Sequence, residues 1–543
     1  MPGLKPRHTL KERFFKERSL GVLLRSQVSE SRPGAPALLF LGAMLATVAM
    51  MMGCHGPKAD TSAVVFLIES SPTSLDPRIG IDAQSEHIDE LLFDGLVVRD
   101  ASFRVVPGLA ERWEQPDPLT LIFHLHAGVH FSDGRLLTSR DVVWTLESMR
   151  NGAILTPKAA SYASVASVEA PDAATVVLHL KTPDNFLLTN LSSGAMGIVP
   201  FGSGRDFWQH PVGSGPFRFV SQEIDKEVVI ERNPMSWLRG AGNVARVRFA
   251  VVPDPITRAL ELRKGSADLE SNSLLPDMLP VLAAEKHLEV ESVGGTQVQY
   301  LAFNTIDPIL RDARVRQAIA CAIDVPLILK TLQAGRARPA VSLLPSTHWA
   351  WNGDVPRYDY DPTRSRQLLD EAGYRRGADG VRLHLTMKTS TDEGTRQLAA
   401  TMQQELAQVG IALELRSFES ATFLQDLTRG SFQMYALRWI GGNEQPEIFG
   451  YAFSTARIPP KGANRGRYSN PELDALLDDA GKSADQARRK TDYAQAQEIL
   501  ARDLPAVNLW YKDSIVVHNR RVSGIVLSPS GSFKFVCDMR VQM

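Results

Sequence analysis

The segment 109–149 carries a dense series of structural signals that points to a mixed α/β architecture. It reads LAERWEQPDPLTLIFHLHAGVHFSDGRLLTSRDVVWTLESM. Apolar residues alternate with other residues from 119 to 125, which predicts a strand with one apolar face. Ser132-Asp133-Gly134 supplies the chemistry of a tight turn. Thr138 stands three residues before Asp141, a spacing typical of a capped helix start. The segment therefore predicts strands, a turn and then a helix.

This segment resembles a hallmark of the family 5 extracytoplasmic solute-binding proteins, the oligopeptide, dipeptide and nickel-binding partners of ABC importers. The residues that carry the resemblance are Leu109-Ala110, Trp113, Phe123, Leu125, Gly128-Val129, Phe131, Asp133-Gly134, Leu137-Thr138 and Asp141-Val142.

The resemblance continues through nearly all of the chain after its N-terminal segment. Val212-Gly213-Ser214-Gly215-Pro216-Phe217 is a second match, and Tyr300-Leu-Ala-Phe-Asn304 with 312–319 is a third. A turn built from two glycines and a proline has two interpretations, a purely structural turn or a direct contact to ligand.

The resemblance implies a two-lobed, type II periplasmic-binding-protein-like α/β fold with an extra inserted domain. Helix followed by strand recurs along the chain, which also favours α/β layers. We expect lobe I to comprise 60–92, 211–302 and 505–543, the inserted domain 93–210, and lobe II 303–504. Hinges are expected near Phe303-Asn304 and Leu504-Pro505.

Composition excludes some classes of function. The chain has 543 residues, 44% of them hydrophobic and 22% charged, with a formal net charge of -1. These values describe an ordinary globular protein, and the length predicts more than one packed unit. Because no large internal basic patch is present, we expect no nucleic-acid partner.

The N-terminus has the layout of an export signal. A basic stretch precedes the uncharged, apolar run 37–52, which ends at Gly53-Cys54. This pattern predicts that 1–53 is an export segment and that Cys54 is the lipidated first residue of a membrane-anchored lipoprotein in the periplasm or cell envelope. An uncleaved anchor, a non-lipidated signal peptide and a later translation start are the alternatives. Two more cysteines, Cys321 and Cys537, could form a disulfide in an exported protein, although a buried thiol is the simpler interpretation of Cys321.

The chain lacks the familiar catalytic motifs, and we expect it not to be an enzyme and to hold no cofactor or metal. His124, His126 and His130 form a His-x-His-x-x-x-His cluster, in which the first two would share one face of a strand. The alternative hypothesis is therefore a metal-binding or hydrolytic exported enzyme that uses this cluster.

The segment 432–446 resembles the family's cleft segment, in which a tryptophan lines the pocket and an aspartate binds a peptide's α-amino group. Trp439 and Pro446 match, whereas Gly442 stands in place of the aspartate. Glu444 could replace that carboxylate, or the ligand could lack an ammonium group. Arg438 replaces a glycine and suggests an anionic ligand, but alternation along a strand would point it away from Trp439. The complete set of expected ligand-binding residues is Ser70, Ser71, Gly213, Ser214, Gly215, Asn304, Arg438, Trp439, Gly441, Gly442 and Asn443.

The resemblance implies a monomer that captures a peptide or another small solute between its lobes. The closed form would then deliver the solute to a membrane permease served by separate ATPase subunits. A surface receptor that senses the ligand without transport is a further alternative.

Overall fold

The computed structural model describes residues 63–100, 102–193, 196–238, 240, 242–439, 444–483 and 485–542. The expected export segment 1–53, Cys54, Gly441, Gly442 and Asn443 lie outside the described residues. None of the helices among the described residues combines the length and the apolar character needed to cross a membrane.

Strands of the described part of the chain form three larger sheets and two small ones. The strands are β1 (Ala63–Ile68), β2 (Val97–Arg99), β3 (Val105–Pro107), β4 (Ala110–Asp117), β5 (Thr120–Leu125), β6 (Val165–Asp172), β7 (Thr175–Leu180), β8 (Phe217–Glu223), β9 (Glu227–Arg232), β10 (Arg246–Val251), β11 (Leu269–Ser271), β12 (Leu288–Val293), β13 (Val298–Phe303), β14 (Ala337–Pro339), β15 (Leu383–Ser390), β16 (Ile411–Phe418), β17 (Met434–Trp439), β18 (Ala506–Lys512), β19 (Ser514–Asn519), β20 (Val522–Ser523) and β21 (Arg540–Val541).

Helices connect and cover these sheets. They are α1 (Ala83–Leu92), α2 (Ser139–Arg150), α3 (Leu187–Leu191), α4 (Pro255–Lys264), α5 (Leu279–Ala283), α6 (Ala313–Cys321), α7 (Val325–Leu332), α8 (Pro362–Glu371), α9 (Glu393–Gln408), α10 (Ser420–Arg429), α11 (Ile448–Phe453), α12 (Pro471–Lys482) and α13 (Gln486–Asp503). Several begin at an Asp or Asn whose side chain accepts backbone N–H groups of the first turn, as Asp361 does for α8.

Lobe I is built on the seven-stranded sheet, in the order β12-β19-β11-β1-β10-β9-β8. Strand β1 pairs in parallel with both β10 and β11. The run AVVFLI of β1 is mostly buried because helices and loops cover both faces of this sheet, as a parallel centre requires. Phe66, Phe217 and Phe249 lie at the centre of the lobe I core.

Lobe II is built on the six-stranded sheet, in the order β14-β18-β13-β17-β15-β16. Strand β15 pairs in parallel with β16 and β17, whereas β13 is antiparallel to β17 and β18. One face of this sheet packs on α6, α8 and α9 through a core that contains Leu301, Phe303 and Met402.

The inserted domain follows α1 and carries the four-stranded antiparallel sheet β4-β5-β7-β6. Its alternating strand β5 buries Leu121, Phe123 and Leu125 on the side that meets α2. The side chain of Asp141 accepts hydrogen bonds from the backbone N–H of Thr138 at 2.7 Å and from its hydroxyl at 3.1 Å. The strand, turn and capped helix predicted for 109–149 are therefore confirmed.

The chain crosses between the two large sheets at positions that differ from the expected hinges. Because all of β13 pairs in the lobe II sheet, the first crossing lies at 294–297 rather than at Phe303-Asn304. Strand β18 also belongs to lobe II and β19 to lobe I, which places the second crossing at Asp513 rather than at Leu504-Pro505. Both crossings differ from the expected hinges because they are set by hydrogen bonding between strands that are distant in the sequence.

Candidate ligand-binding crevice

Glu69, after a strand of lobe I, and Arg438, at the end of a strand of lobe II, both act on the charge of Lys512, so these strand ends lie near each other. The carboxyl ends of strands are where open α/β sheets bind ligands. In lobe I, β1 ends at Ile68 and is followed by Glu69 and Ser70. In lobe II, β15 ends before Asp392, which caps the start of α9, and β17 ends at Arg438-Trp439. The crevice between these ends is the candidate site.

Arg438 lies within this crevice. Its side chain is exposed, yet the surrounding protein lowers its pKa through desolvation, which nearby Asp392 partly offsets. Arg438 therefore presents to solvent a guanidinium group that the surrounding protein partly desolvates.

Lys512 lies near Arg438, at the end of β18 next to the second crossing. Burial lowers its pKa, the charge of Arg438 lowers it further, and the charges of Glu270 and Glu69 raise it. Its ammonium group also donates to the carbonyl oxygen of Asn272 at 3.3 Å. Groups from lobe I and lobe II thus share one electrostatic environment around Lys512.

Glu270 contributes little negative charge near Lys512. Burial raises its pKa to about 7, although its carboxylate accepts the backbone N–H of Ser273 at 2.6 Å. A carboxyl group with this pKa is largely protonated in mildly acidic solution, so it balances little of the positive charge there. The negative charge that opposes Lys512 and Arg438 therefore comes mainly from Glu69 and Asp392.

Trp439 occupies the opposite face of β17, as strand alternation predicts. Its ring stacks on Tyr300 with centroids 5.7 Å apart and meets the edge of Tyr451 at 6.4 Å. The half-buried indole thus packs into the interior of lobe II. Its role in lining a ligand pocket stays a prediction.

The turn 213–215 packs closely against the end of α1. A Cβ on Gly213 would lie 1.9 Å from the carbonyl oxygen of Leu92, and a Cβ on Gly215 would lie 2.7 Å from that of Leu91. The buried hydroxyl of Ser214 donates to Asp94 at 2.9 Å. These contacts favour the structural interpretation of the turn, and its contact with ligand stays a prediction.

The other expected site residues divide between the crevice and the interior. Ser70 is exposed beside Glu69, whereas the hydroxyl of Ser71 accepts the backbone N–H of Asp225 at 2.7 Å. Asn304 is buried at the start of the loop after β13, and its amide donates to the carbonyl oxygen of Phe432 at 2.9 Å. Of these three, only Ser70 presents its side chain toward solvent at the strand ends.

Glu444 is already engaged by protein groups. Its carboxylate accepts Nη1 of Arg99 from the inserted domain at 3.2 Å and the hydroxyl of Thr296 at 3.2 Å. Burial raises its pKa, and Arg99 lowers it in part. Glu444 therefore joins the inserted domain to lobe II, and it is poorly placed to replace the carboxylate missing at Gly442.

The histidine cluster does not assemble a metal site. Nε2 of His124 lies 3.0 Å from Glu114, and Nδ1 of His126 lies 3.9 Å from Glu111, both on the exposed face of the inserted sheet. No group of three or more His, Cys, Asp or Glu side chains suited to a metal ion occurs within the described residues. Cys321 and Cys537 are both free thiols, one in each lobe, so the structure does not support the disulfide that the sequence allowed.

Sequence reasoning overlooked Lys512, Glu69, Glu270 and Asp392. Glu69 had a usable signal, because it directly follows an apolar strand that continues into a turn-rich loop. No signal in the sequence indicated Lys512. It lies at the end of one strand and reaches the crevice only because β18 pairs with distant segments.

Comparison with known proteins supplies the family of the chain. The sequence profile of the bacterial extracellular solute-binding proteins, family 5 Middle, matches residues 104–459. The chain belongs to this family. Among its family 5 relatives, the glutathione-binding protein of Pectobacterium atrosepticum is 27% identical over 483 residues, covering 87% of this chain and 93% of the relative. The dipeptide-binding protein of Escherichia coli is 25% identical over 520 residues, covering 90% and 96%.

Solved structures agree with this assignment. HbpA2 from Haemophilus parasuis matches with a TM-score of 0.78 and 26% identity, covering 89% of this chain and 100% of that chain. DppA from Helicobacter pylori, in complex with the peptide STSA, matches with a TM-score of 0.69 and 26% identity, covering 89% and 98%. The family 5 resemblance and the type II periplasmic-binding-protein-like fold predicted from the sequence are both confirmed.

Proposed function

We propose that this protein is the exported receptor of an ABC importer and that it captures a peptide-like solute in the crevice between lobes I and II. Membership of family 5 supports the receptor role. Relatives named for binding dipeptides and glutathione support a peptide-like solute. In this proposal, 1–53 directs export and a lipid on Cys54 holds the monomer at the membrane.

Capture alone is the proposed activity. A solute that contacts both lobes favours the closed arrangement by its differential affinity for that state. The closed protein then docks on the permease, and separate ATPase subunits supply the energy. No covalent bond of the solute is made or broken, and no cofactor takes part.

The solute in this proposal carries a carboxylate that binds to Arg438 and Lys512. The observation that supports this feature is the solvent-exposed but desolvated guanidinium group of Arg438 beside a second cation. A planar guanidinium group matches a carboxylate with two parallel hydrogen bonds, and partial desolvation strengthens them.

Arg438→Gln tests the proposal directly. A pool of di- to hexapeptides with free C-termini is offered beside the same pool with amidated C-termini, and retained peptides are quantified by mass spectrometry. The wild type should prefer free C-termini, and the variant should bind them at least about tenfold more weakly, because a charge-assisted hydrogen bond contributes about 1.5–3 kcal/mol.

Arg416→Gln is the matched control. Arg416 is an exposed arginine on β16 of the same sheet and pairs with Glu414 at 2.9 Å, so its removal should leave peptide retention unchanged. Equal retention of amidated and free peptides by the wild type would contradict the carboxylate contact. Failure to retain any peptide, with no compaction in small-angle X-ray scattering, would refute the peptide-like solute.

A further inference from the structure

A second cavity lies inside lobe II, apart from the crevice. It has a volume of about 410 Å³ and lies between strands β14 and β18 and helices α6, α7, α11 and α13. This volume falls within the range of about 300–1,000 Å³ that is usual for small-molecule sites. Neither Arg438 nor Lys512 lines it, so it is a separate site from the one proposed above.

The shape of the sheet explains why this space is open. Strand β14 pairs with β18 only between Trp510 and Lys512, and β14 ends at Pro339. Strand β18 extends further back, to Ala506, where β13 is its partner on the other edge. The free edge of β18 beyond Pro339 therefore borders a gap that helices cover without filling.

The cavity is apolar at its base and polar at its entrance. Buried side chains at the base are Ile323, Leu343, Phe449, Leu500 and Leu504. Exposed residues at the entrance include Arg357, Asp359 and Tyr360, which carry charges of both signs. Because the base lacks a charged partner, a charged ligand would lose its hydration there without compensation.

Polar groups of the wall are engaged or covered by protein. Gln497 donates to the carbonyl oxygens of Ala350 and Tyr493 at 2.9 Å and accepts the hydroxyl of Ser342 at 2.7 Å. The amide oxygen of Asn508 is covered by protein, so a ligand in the cavity does not reach it. The wall therefore favours an uncharged, largely apolar ligand.

Leu504 closes one side of the cavity with its side chain. It is the C-cap of α13, and its φ of 49° is the left-handed conformation that is common at helix C-termini. Nε of Arg316 donates to the Leu504 carbonyl oxygen at 3.0 Å and supports that conformation.

We propose that this cavity binds a small, uncharged and largely apolar molecule. The ligand occupies the space between the edge of β18 and helix α13. It binds independently of the solute in the crevice.

N-Phenyl-1-naphthylamine is a suitable probe, because it is uncharged and has two aromatic groups. Its fluorescence rises when it enters an apolar site. The full-length protein should bind it saturably with one site per chain. Ala501→Phe fills the cavity from α13 and should weaken binding at least about tenfold. Gln495→Phe adds the same ring to an exposed position of α13 outside the cavity and should change nothing.

Circular dichroism checks that each variant folds. If Ala501→Phe does not fold, Val341→Phe obstructs the cavity from the opposite wall. Absence of saturable binding, or binding that survives obstruction of the cavity, would overturn the proposal.

Discussion

At the scale of single residues, the turn 213–215 shows how a motif typical of a family can serve packing. Gly213 and Gly215 let the backbone approach the end of α1, and the backbone N–H of Gly215 donates to the carbonyl oxygen of Leu92 at 3.0 Å. A side chain at either position would overlap main-chain atoms, which cannot move as a flexible side chain can.

Gly213→Ala should therefore lower the free energy of unfolding by about 2–4 kcal/mol, since the added methyl group forces the turn away from α1. Urea unfolding followed by circular dichroism measures the change. Gly481→Ala is the matched control, because Gly481 lies in α12 and a Cβ there meets nothing within 4 Å. That control should be neutral or slightly stabilising, by up to about 1 kcal/mol. A stable Gly213→Ala variant would instead return the turn to the ligand-binding candidates.

Arg438 and Glu444 show what a sequence comparison with the family leaves open at this scale. Both stand near the missing aspartate position. Glu444 was the candidate to replace its carboxylate, whereas Arg438 suggested an anionic ligand. The structure separates them, since Glu444 pairs with Arg99, 345 residues away in sequence, whereas Arg438 lies near Asp392 and Lys512.

At the scale of secondary-structure elements, Arg316 holds the end of the longest helix among the described residues. Its guanidinium group is buried and donates to the carbonyl oxygens of Asp503, Leu504, Leu310 and Arg311, with distances that include 3.1 Å to Asp503 and 2.6 Å to Leu310. The last carbonyls of a helix have no partner within the helix, so Arg316 satisfies groups that would otherwise be buried and unpaired.

Arg316→Met should lower the free energy of unfolding by about 3 kcal/mol, because methionine fills similar space but donates no hydrogen bond. Chemical denaturation monitors the loss. Arg311→Met, an exposed arginine just before α6, should cost less than about 0.5 kcal/mol. Equal stability of the two variants would show that water replaces the Arg316 contacts.

Element boundaries were largely predictable because their signals are local. The alternation along β5, the turn at 132–134 and the cap of α2 depend on neighbours only a few residues away in the chain. The end of β13 and the start of β18 were less predictable. Their pairing partners, β17 and β14, are remote in sequence.

At the scale of the whole molecule, several contacts connect the inserted domain to lobe II. The rings of Phe103 and His348 stack with centroids 5.8 Å apart. The side-chain amide of Asn185 donates to the carbonyl oxygen of Gly481 at 2.6 Å. Together with the Arg99–Glu444 ion pair, these contacts stabilise the arrangement in which the lobes approach each other.

Arg99→Met should weaken solute binding about tenfold, because it removes the ion pair between the inserted domain and lobe II and leaves the largely buried carboxylate of Glu444 with only the hydroxyl of Thr296. Small-angle X-ray scattering should also show a larger radius of gyration for the solute-free variant. Arg104→Met is the control, since Arg104 lies on the same hairpin and pairs with Asp100 within its own domain. A variant with unchanged affinity and radius would show that this ion pair does not influence closure.

The sequence by itself determined the family, the α/β class and the strands, turn and capped helix of 109–149. These depend on local periodicity, on turn and cap residues, and on motifs whose parts lie close together in the chain. Tertiary structure alone decided where the chain crosses between lobes and which charged groups share the crevice. Glu69, Asp392, Arg438 and Lys512 come from four separate segments, and their meeting depends on strand order and register, which are set by long-range pairing.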